Sequence, residues 1–203
     1  MTEHLDRFNA AAREYKTDRY PGRAQCARKV LEFLEPHNDD VVLDVGCGPG
    51  IQLITLAPLI KHGYGIDPAE QMIQRARQAA TDFANLSFYI GSVECLSPDI
   101  AHLGINKILT NYVLHHLSDG AKRNVICDLA AVLPSNGMLI LGDLMFSDDP
   151  DKYEALFDFV GFGPGSDTPS ELSLLENMFI AAGMSPVSHL LNPLVGVIIG
   201  KKT

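Results

Sequence analysis

The chain has 203 residues, 46% apolar and 20% charged, with a formal net charge of −9. This is ordinary globular composition, enough for one α/β domain with a full core. The 25 acidic residues outnumber 16 basic ones and no basic cluster stands out, which argues against a nucleic-acid partner. No apolar run approaches the roughly 18 residues of a membrane span, so no membrane partner is expected.

The opening "MTEHLDRFNAAAREY" is polar and carries both charge signs, unlike a secretory signal. The four cysteines, Cys26, Cys47, Cys95 and Cys127, form no CxxC pair and no zinc spacing. They predict reduced, buried thiols in a cytoplasmic protein, with no metal site.

The first 35 residues look helical, with a break near "RYPG". The stretch "RAQCARKVLEFLEP" then spaces Ala27, Val30, Leu31 and Leu34 as a helix would. "VVLDV" predicts a buried strand. "IQLITLAPLIKH" predicts a helix that Pro58 shortens. "GYGID" is a second strand, and "PAEQMIQRARQAA" a helix with proline in its first turn. "LSFYIG" and "NKILTNYV" are strands three and four. "SDGAKRNVICDLAAVLP" is an amphipathic helix capped by Ser118 or Asp119, with Val125, Ile126, Leu129, Val132 and Leu133 on one face. "MLILGDL" is a fifth strand, "SELSLLENMFIAAG" a helix ending at Gly183, and "PVSHLL" and "LVGVIIG" the last two strands. Alternating strands and helices predict a parallel sheet covered on both faces. The short final connection predicts one antiparallel strand.

The informative stretch is "VVLDVGCGPG". Three glycines directly behind a β-branched run make sense only if the backbone itself must approach a ligand. A dinucleotide loop would carry a glycine at 51, where this chain has Ile51. Asp44, two residues before Gly46, would repel a pyrophosphate and attract a cation. Asp67 ends the second strand, where a carboxylate can hold both hydroxyls of a ribose. A ribose-bearing ligand with a cationic head and no phosphate satisfies both carboxylates.

On "VLDVGCGPG", "GIDPAEQMIQRAR", "NYVLHHL" and "AVLPSNGMLILGDL", in that order, the chain resembles class I S-adenosylmethionine-dependent methyltransferases. The resemblance is clear over residues 40–143. It implies a three-layer Rossmann-like fold with a mostly parallel seven-stranded sheet and an antiparallel final strand. It also implies a single domain over 1–203: a helical cover at 1–36, a cofactor-binding core at 37–143, and an acceptor-side lid with the last helix and strands at 144–203.

The cofactor implied is S-adenosyl-L-methionine. Asp44 would hold its ammonium group. Gly46, Cys47 and Gly48 would admit the methionine part. Asp67 would bind the ribose, and Pro68 or Met72 would pack on the adenine. Asn111 would lie near the transferring methyl. The family often places an acid on the adenine amine after the third strand; here Ser92 and Val93 stand in "GSVEC", so Ser92, or Glu94 in its stead, would make that bond.

Methyl transfer needs a base only when the acceptor must lose a proton. His115 is the first candidate, with Asp143 on the same rim; His116 and Tyr112 are alternatives facing the acceptor. Tyr15 and Tyr20 would belong to the cover. The segment from Asp143 to Glu176, acidic and interleaved with Phe146, Tyr153, Phe157, Phe159 and Phe162, reads either as a lid over a cationic acceptor or as a solvated helix packing its aromatic rings. No (Asp/Asn)-Pro-Pro-aromatic motif follows the fourth strand, which argues against nucleobase acceptors.

The resulting expectation is methyl transfer to a small-molecule acceptor by a monomer or homodimer. Two other readings stay open: a non-catalytic module that binds the same cofactor, and a transferase that uses another donor derived from it.

Overall fold

The computed structural model describes residues 22–147 and 167–203. The elements run α1 (Arg23–Leu34), β1 (Val41–Val45), α2 (Ile51–Leu56), β2 (His62–Asp67), α3 (Glu70–Ala79), β3 (Leu86–Ile90), β4 (Lys107–Asn111), α4 (Asp119–Val132), β5 (Met138–Phe146), β6 (Ser170–Glu171), α5 (Leu172–Ala181), β7 (Met184–Asn192) and β8 (Val195–Lys202). The seven longer strands lie in the order β3-β2-β1-β4-β5-β8-β7, and two-residue β6 pairs with the end of β5. Strands β1 to β5 are mutually parallel, whereas β8 runs antiparallel to both β5 and β7. The final strand is therefore the antiparallel one, as the short turn after Asn192 requires.

Period-two alternation divides the core between the two faces of the sheet. Val41, Leu43 and Val45 of β1 and Leu139, Leu141 and Met145 of β5 pack with α4 and α5. Val42 of β1 and Ile140 and Leu144 of β5 pack with α1, α2 and α3. In α1 it is Cys26, Val30 and Leu34 that are fully buried, while Ala27 and Leu31 are half-buried.

Pro58 stops α2 at Leu56, and a single 3-10 turn, Ala57–Leu59, follows. Ser118 caps α4, its hydroxyl accepting from the Ala121 N–H at 3.4 Å. Two local expectations are corrected. Ser170 and Glu171 begin no helix but pair with Met145 and Phe146. All four cysteines are free, yet only Cys26 and Cys47 are buried; Cys127 is half-buried and Cys95 is exposed on the irregular link after β3. Among the described residues, no helix is long and apolar enough to cross a membrane.

Candidate active site

The strand order reverses between β1 and β4, so their carboxyl ends open a crevice at the switch point. The residues described below lie on the strands, loops and helices around this edge.

On the β1 side, Gly46, Gly48 and Gly50 take positive φ angles of 74°, 52° and 78°. The loop turns back on itself, with Gly46 and Cys47 donating their N–H groups to Ile66 O at 2.8 and 3.0 Å. A Cβ at Gly46 would overlap Val113 of the β4 rim, so this glycine serves close packing between the two halves as well as the turn. The Cys47 side chain goes into the core beside Gly65 and Phe88, leaving its backbone for the cleft.

Asp67 ties the loop to the next helix. Its Oδ2 accepts from Gly48 N–H and its Oδ1 from Ala69 N–H, each at 2.9 Å. Each carboxylate oxygen keeps a further lone pair for a hydroxyl donor. Asp44 is 1% exposed, and its Oδ2 has no hydrogen-bond partner among the described residues. Burial, followed by the nearby charge of Asp67, pushes the Asp44 carboxyl well above the usual range. Burial also raises Asp67, against the pull of its two N–H bonds. Two buried carboxylates on one glycine loop, one with an unsatisfied oxygen, fit a ligand that brings a cation and hydroxyl donors.

The adenine end is mixed. Met72 is buried but belongs to neither apolar cluster, while Pro68 is exposed. Ser92 is half-buried, and its hydroxyl accepts from Glu94 N–H at 3.3 Å, which leaves its own hydrogen to donate. Val93 is buried in the α4 side of the core, and Glu94 is exposed.

On the β4 side, Asn111 Oδ1 and Thr110 Oγ1 are buried without a partner among the described residues. Tyr112 adopts φ 60°; its side chain belongs to the apolar cluster that holds Cys26 and Val30, and its ring meets that of His115 edge-on at 5.8 Å. Its hydroxyl is buried without a described partner, and burial raises its pKa strongly. That disfavours a phenolate role.

His115 sits in the 3-10 turn Leu114–His116, 2% exposed. Asp143 grips it twice: Asp143 Oδ2 accepts from the His115 N–H at 3.1 Å, and Oδ1 bonds Nδ1. Burial alone would raise Asp143; the charge and hydrogen bond of His115 outweigh it, with the Leu144 N–H adding support, and hold the carboxyl below the usual range. An ionised carboxylate only accepts, so the bond to Asp143 places a hydrogen on Nδ1, and in the neutral form of the ring Nε2 is the nitrogen that keeps its electron pair.

His116 Nδ1 lies 2.6 Å from Asp167 Oδ1. Its pKa is lowered, chiefly by burial, with His115 adding to the shift while Asp167 opposes it. Asp167 comes from a strap that Thr168 fastens: its N–H and hydroxyl both bond His115 O, and the hydroxyl also bonds Leu117 O. Buried Lys122 of α4 bonds Thr168 O, Ser170 and Asp119 from below.

Thus the fold brings Asp44, the glycine loop, Asp67, Asn111, His115, His116 and Asp143 to one edge. Tyr15 and Tyr20, and most of the acidic-aromatic lid including Tyr153, Phe157, Phe159 and Phe162, lie outside the described residues. Asp167 and Lys122 were not singled out from sequence, nor was Gln52, whose buried Nε2 lacks a described partner beside the loop. Lys122 had a signal: it stands three and four residues before Val125 and Ile126, on the apolar face of its helix. Asp167 had none, lying 51 residues from His116.

Residues 36–162 match the family described as methyltransferase domain. An uncharacterized methyltransferase of Bacillus pumilus is 26% identical over 79% of this chain and 76% of its own length. A protein of transposon TN4556 in Streptomyces fradiae is 28% identical over 66% of this chain, which spans only 35% of that protein. Among solved structures, a DhpI complex with S-adenosylmethionine superposes with a TM-score of 0.76 at 18% identity, covering 97% of this chain and 95% of that one. Magnesium protoporphyrin IX methyltransferase from Synechocystis, crystallised with S-adenosylhomocysteine, gives 0.71 at 21% identity, covering 90% and 84%. Strand order, glycine loop and family match agree, and the chain belongs to the methyltransferase domain family.

Proposed function

We propose that this chain transfers a methyl group from S-adenosylmethionine to a small-molecule acceptor. The observation that carries the reading is the buried, unsatisfied Asp44 oxygen at the glycine loop. A carboxylate so placed costs several kcal/mol unless a cation reaches it. The cofactor's ammonium meets that need, and its ribose hydroxyls meet Asp67. The sulfonium supplies an already activated methyl group, so the chain's share of the work is positioning and charge. Asn111 and the neighbouring rim orient the acceptor for in-line displacement. His115, fixed by Asp143 with Nε2 unprotonated, takes the acceptor's proton.

Small-molecule acceptors fit the net charge of −9, and two structural neighbours are methyltransferases of small molecules, magnesium protoporphyrin IX and geranyl diphosphate. Incubating the chain with labelled cofactor and fractionated metabolite extract tests the reading. Label appearing in a discrete small molecule supports it. Tight S-adenosylhomocysteine binding with no labelled product from any extract would favour a non-catalytic binding module.

A further inference from the structure

The acceptor side holds a second pattern that proton transfer does not need. His115, His116 and Asp167 each offer one donor atom, and all three atoms lie within 4.8 Å of one another. Asp167 Oδ1 is 2.6 Å from His116 Nδ1 and 4.0 Å from His115 Nε2. Donors bound to one ion at about 2.0–2.2 Å sit about 3–3.5 Å apart. The separations, 2.6 Å at the shortest and within 4.8 Å throughout, bracket that spacing, so closure asks for shifts of about an ångström or less.

The supports are also in place. The ring nitrogen of His115 that faces away from Asp167 is bonded to the Asp143 carboxylate. A carboxylate behind an imidazole fixes its tautomer and raises its basicity toward a metal. The strap bearing Asp167 is bonded to the backbone of His115 through Thr168 and anchored below by Lys122. The side chains of His115 and Asp167 are 2% and 1% exposed, and His116 is 19% exposed, leaving one partly open side.

We propose that His115, His116 and Asp167 form a binding site for one divalent transition-metal ion. Two imidazoles and one carboxylate suit zinc, iron(II), cobalt or nickel better than magnesium or calcium, which prefer all-oxygen shells. On binding, the ion replaces the hydrogen shared by His116 Nδ1 and Asp167 Oδ1, and that proton leaves to solvent. Three protein ligands leave at least one position for an acceptor oxygen, which the ion would polarise and acidify; with the ion bound, His115 Nε2 is a ligand, and this acidification takes the place of proton abstraction by that nitrogen. That role rests on the methyl-transfer reading above; binding of the ion does not.

The test uses the full chain without an affinity tag, and with neither cofactor nor acceptor present. Co2+ titration should give visible d–d absorption that saturates at one equivalent. His116→Ala and Asp167→Ala should each weaken Co2+ binding at least about tenfold, and Asp143→Asn, acting from behind His115, about 10–100-fold. Retained S-adenosylhomocysteine affinity in each variant certifies the fold. A readout without variants is the imidazole nitrogen spectrum of wild-type protein, in which Zn2+ should shift His115 and His116 and leave His37, His62 and His102 in place. No saturable band, unchanged affinity in both ligand variants, or unmoved His115 and His116 signals would each overturn the site. Cofactor affinity, measured separately, reports on the methyl-transfer reading alone.

Discussion

The two ends of the crevice treat their carboxylates in opposite ways. At the β1–β2 end, Asp44 and Asp67 are buried close together with no side-chain cation bonded to them among the described residues, and burial raises both pKa values. At the β4–β5 end, Asp143 is equally buried but lies against His115, and its pKa is lowered. Asp167 likewise has His116 at hand. One end is therefore electrostatically incomplete among the described residues. The other is complete and holds an imidazole in a fixed tautomer. Under the proposed function, the difference would separate binding a cationic cofactor from acting on an acceptor.

The comparison breaks most visibly at the completed end. His115→Ala should lower turnover by about 10²–10⁴-fold if the imidazole takes the acceptor's proton. Cofactor affinity should change little, because His115 lies on the far rim. A rate unchanged across pH would reduce the His115–Asp143 pair to a packing device.

At the incomplete end the effects should be smaller and should fall on binding. Asp67→Ala should weaken S-adenosylhomocysteine affinity by about 1–3 kcal/mol, roughly five- to 150-fold, read by calorimetry. Asp67→Asn keeps an acceptor for Gly48 or Ala69 and should recover part of that loss. Equal affinity for wild type and both variants would remove the ribose from Asp67.

Gly46 joins the two ends, and it sharpens the contrast structurally. Its φ of 74° and its closeness to Val113 leave no room for a methyl group. Gly46→Ala should cost about 1–3 kcal/mol of stability in denaturant unfolding, from strain and overpacking together. The loss should persist with bound cofactor, because Val113 is in the way in either state.

Much of this was legible in the sequence, for identifiable reasons. The runs at Val41–Val45 and Met138–Phe146 are buried on both faces and so read as unbroken apolar segments. The glycine loop was legible because positive φ selects its residue type. The 3-10 helix Pro98–His102 escaped, since five residues carry too little periodicity to be seen. Asp167 escaped because its meaning depends on His116 and a strap held by Lys122, partners that only the folded chain brings near. The carboxylates of the incomplete end carry their meaning in local motifs. Those of the completed end acquire it from tertiary contact.

The smallest expected effect tests why Asp44 is there at all. Its folded pKa lies above the ordinary carboxylate value. The native state therefore binds more protons than the unfolded chain once pH passes that ordinary value. Stability must then fall as pH rises from the unfolded pKa toward the raised folded one, the reverse of the usual acid-side behaviour. Asp44→Asn keeps the shape, removes the charge and abolishes this slope. At neutral pH the cofactor-free variant should be more stable than wild type by about 0.5–2 kcal/mol, while binding cofactor more weakly. Thermal unfolding across pH, with and without S-adenosylhomocysteine, reads both signs. Asp143 supplies the internal control: with a lowered pKa, its contribution is present above the unfolded value and fades as pH drops through the folded one. If Asp44→Asn were destabilising without ligand, a cation within the chain itself would have to satisfy that carboxylate, and the two ends would differ in degree only.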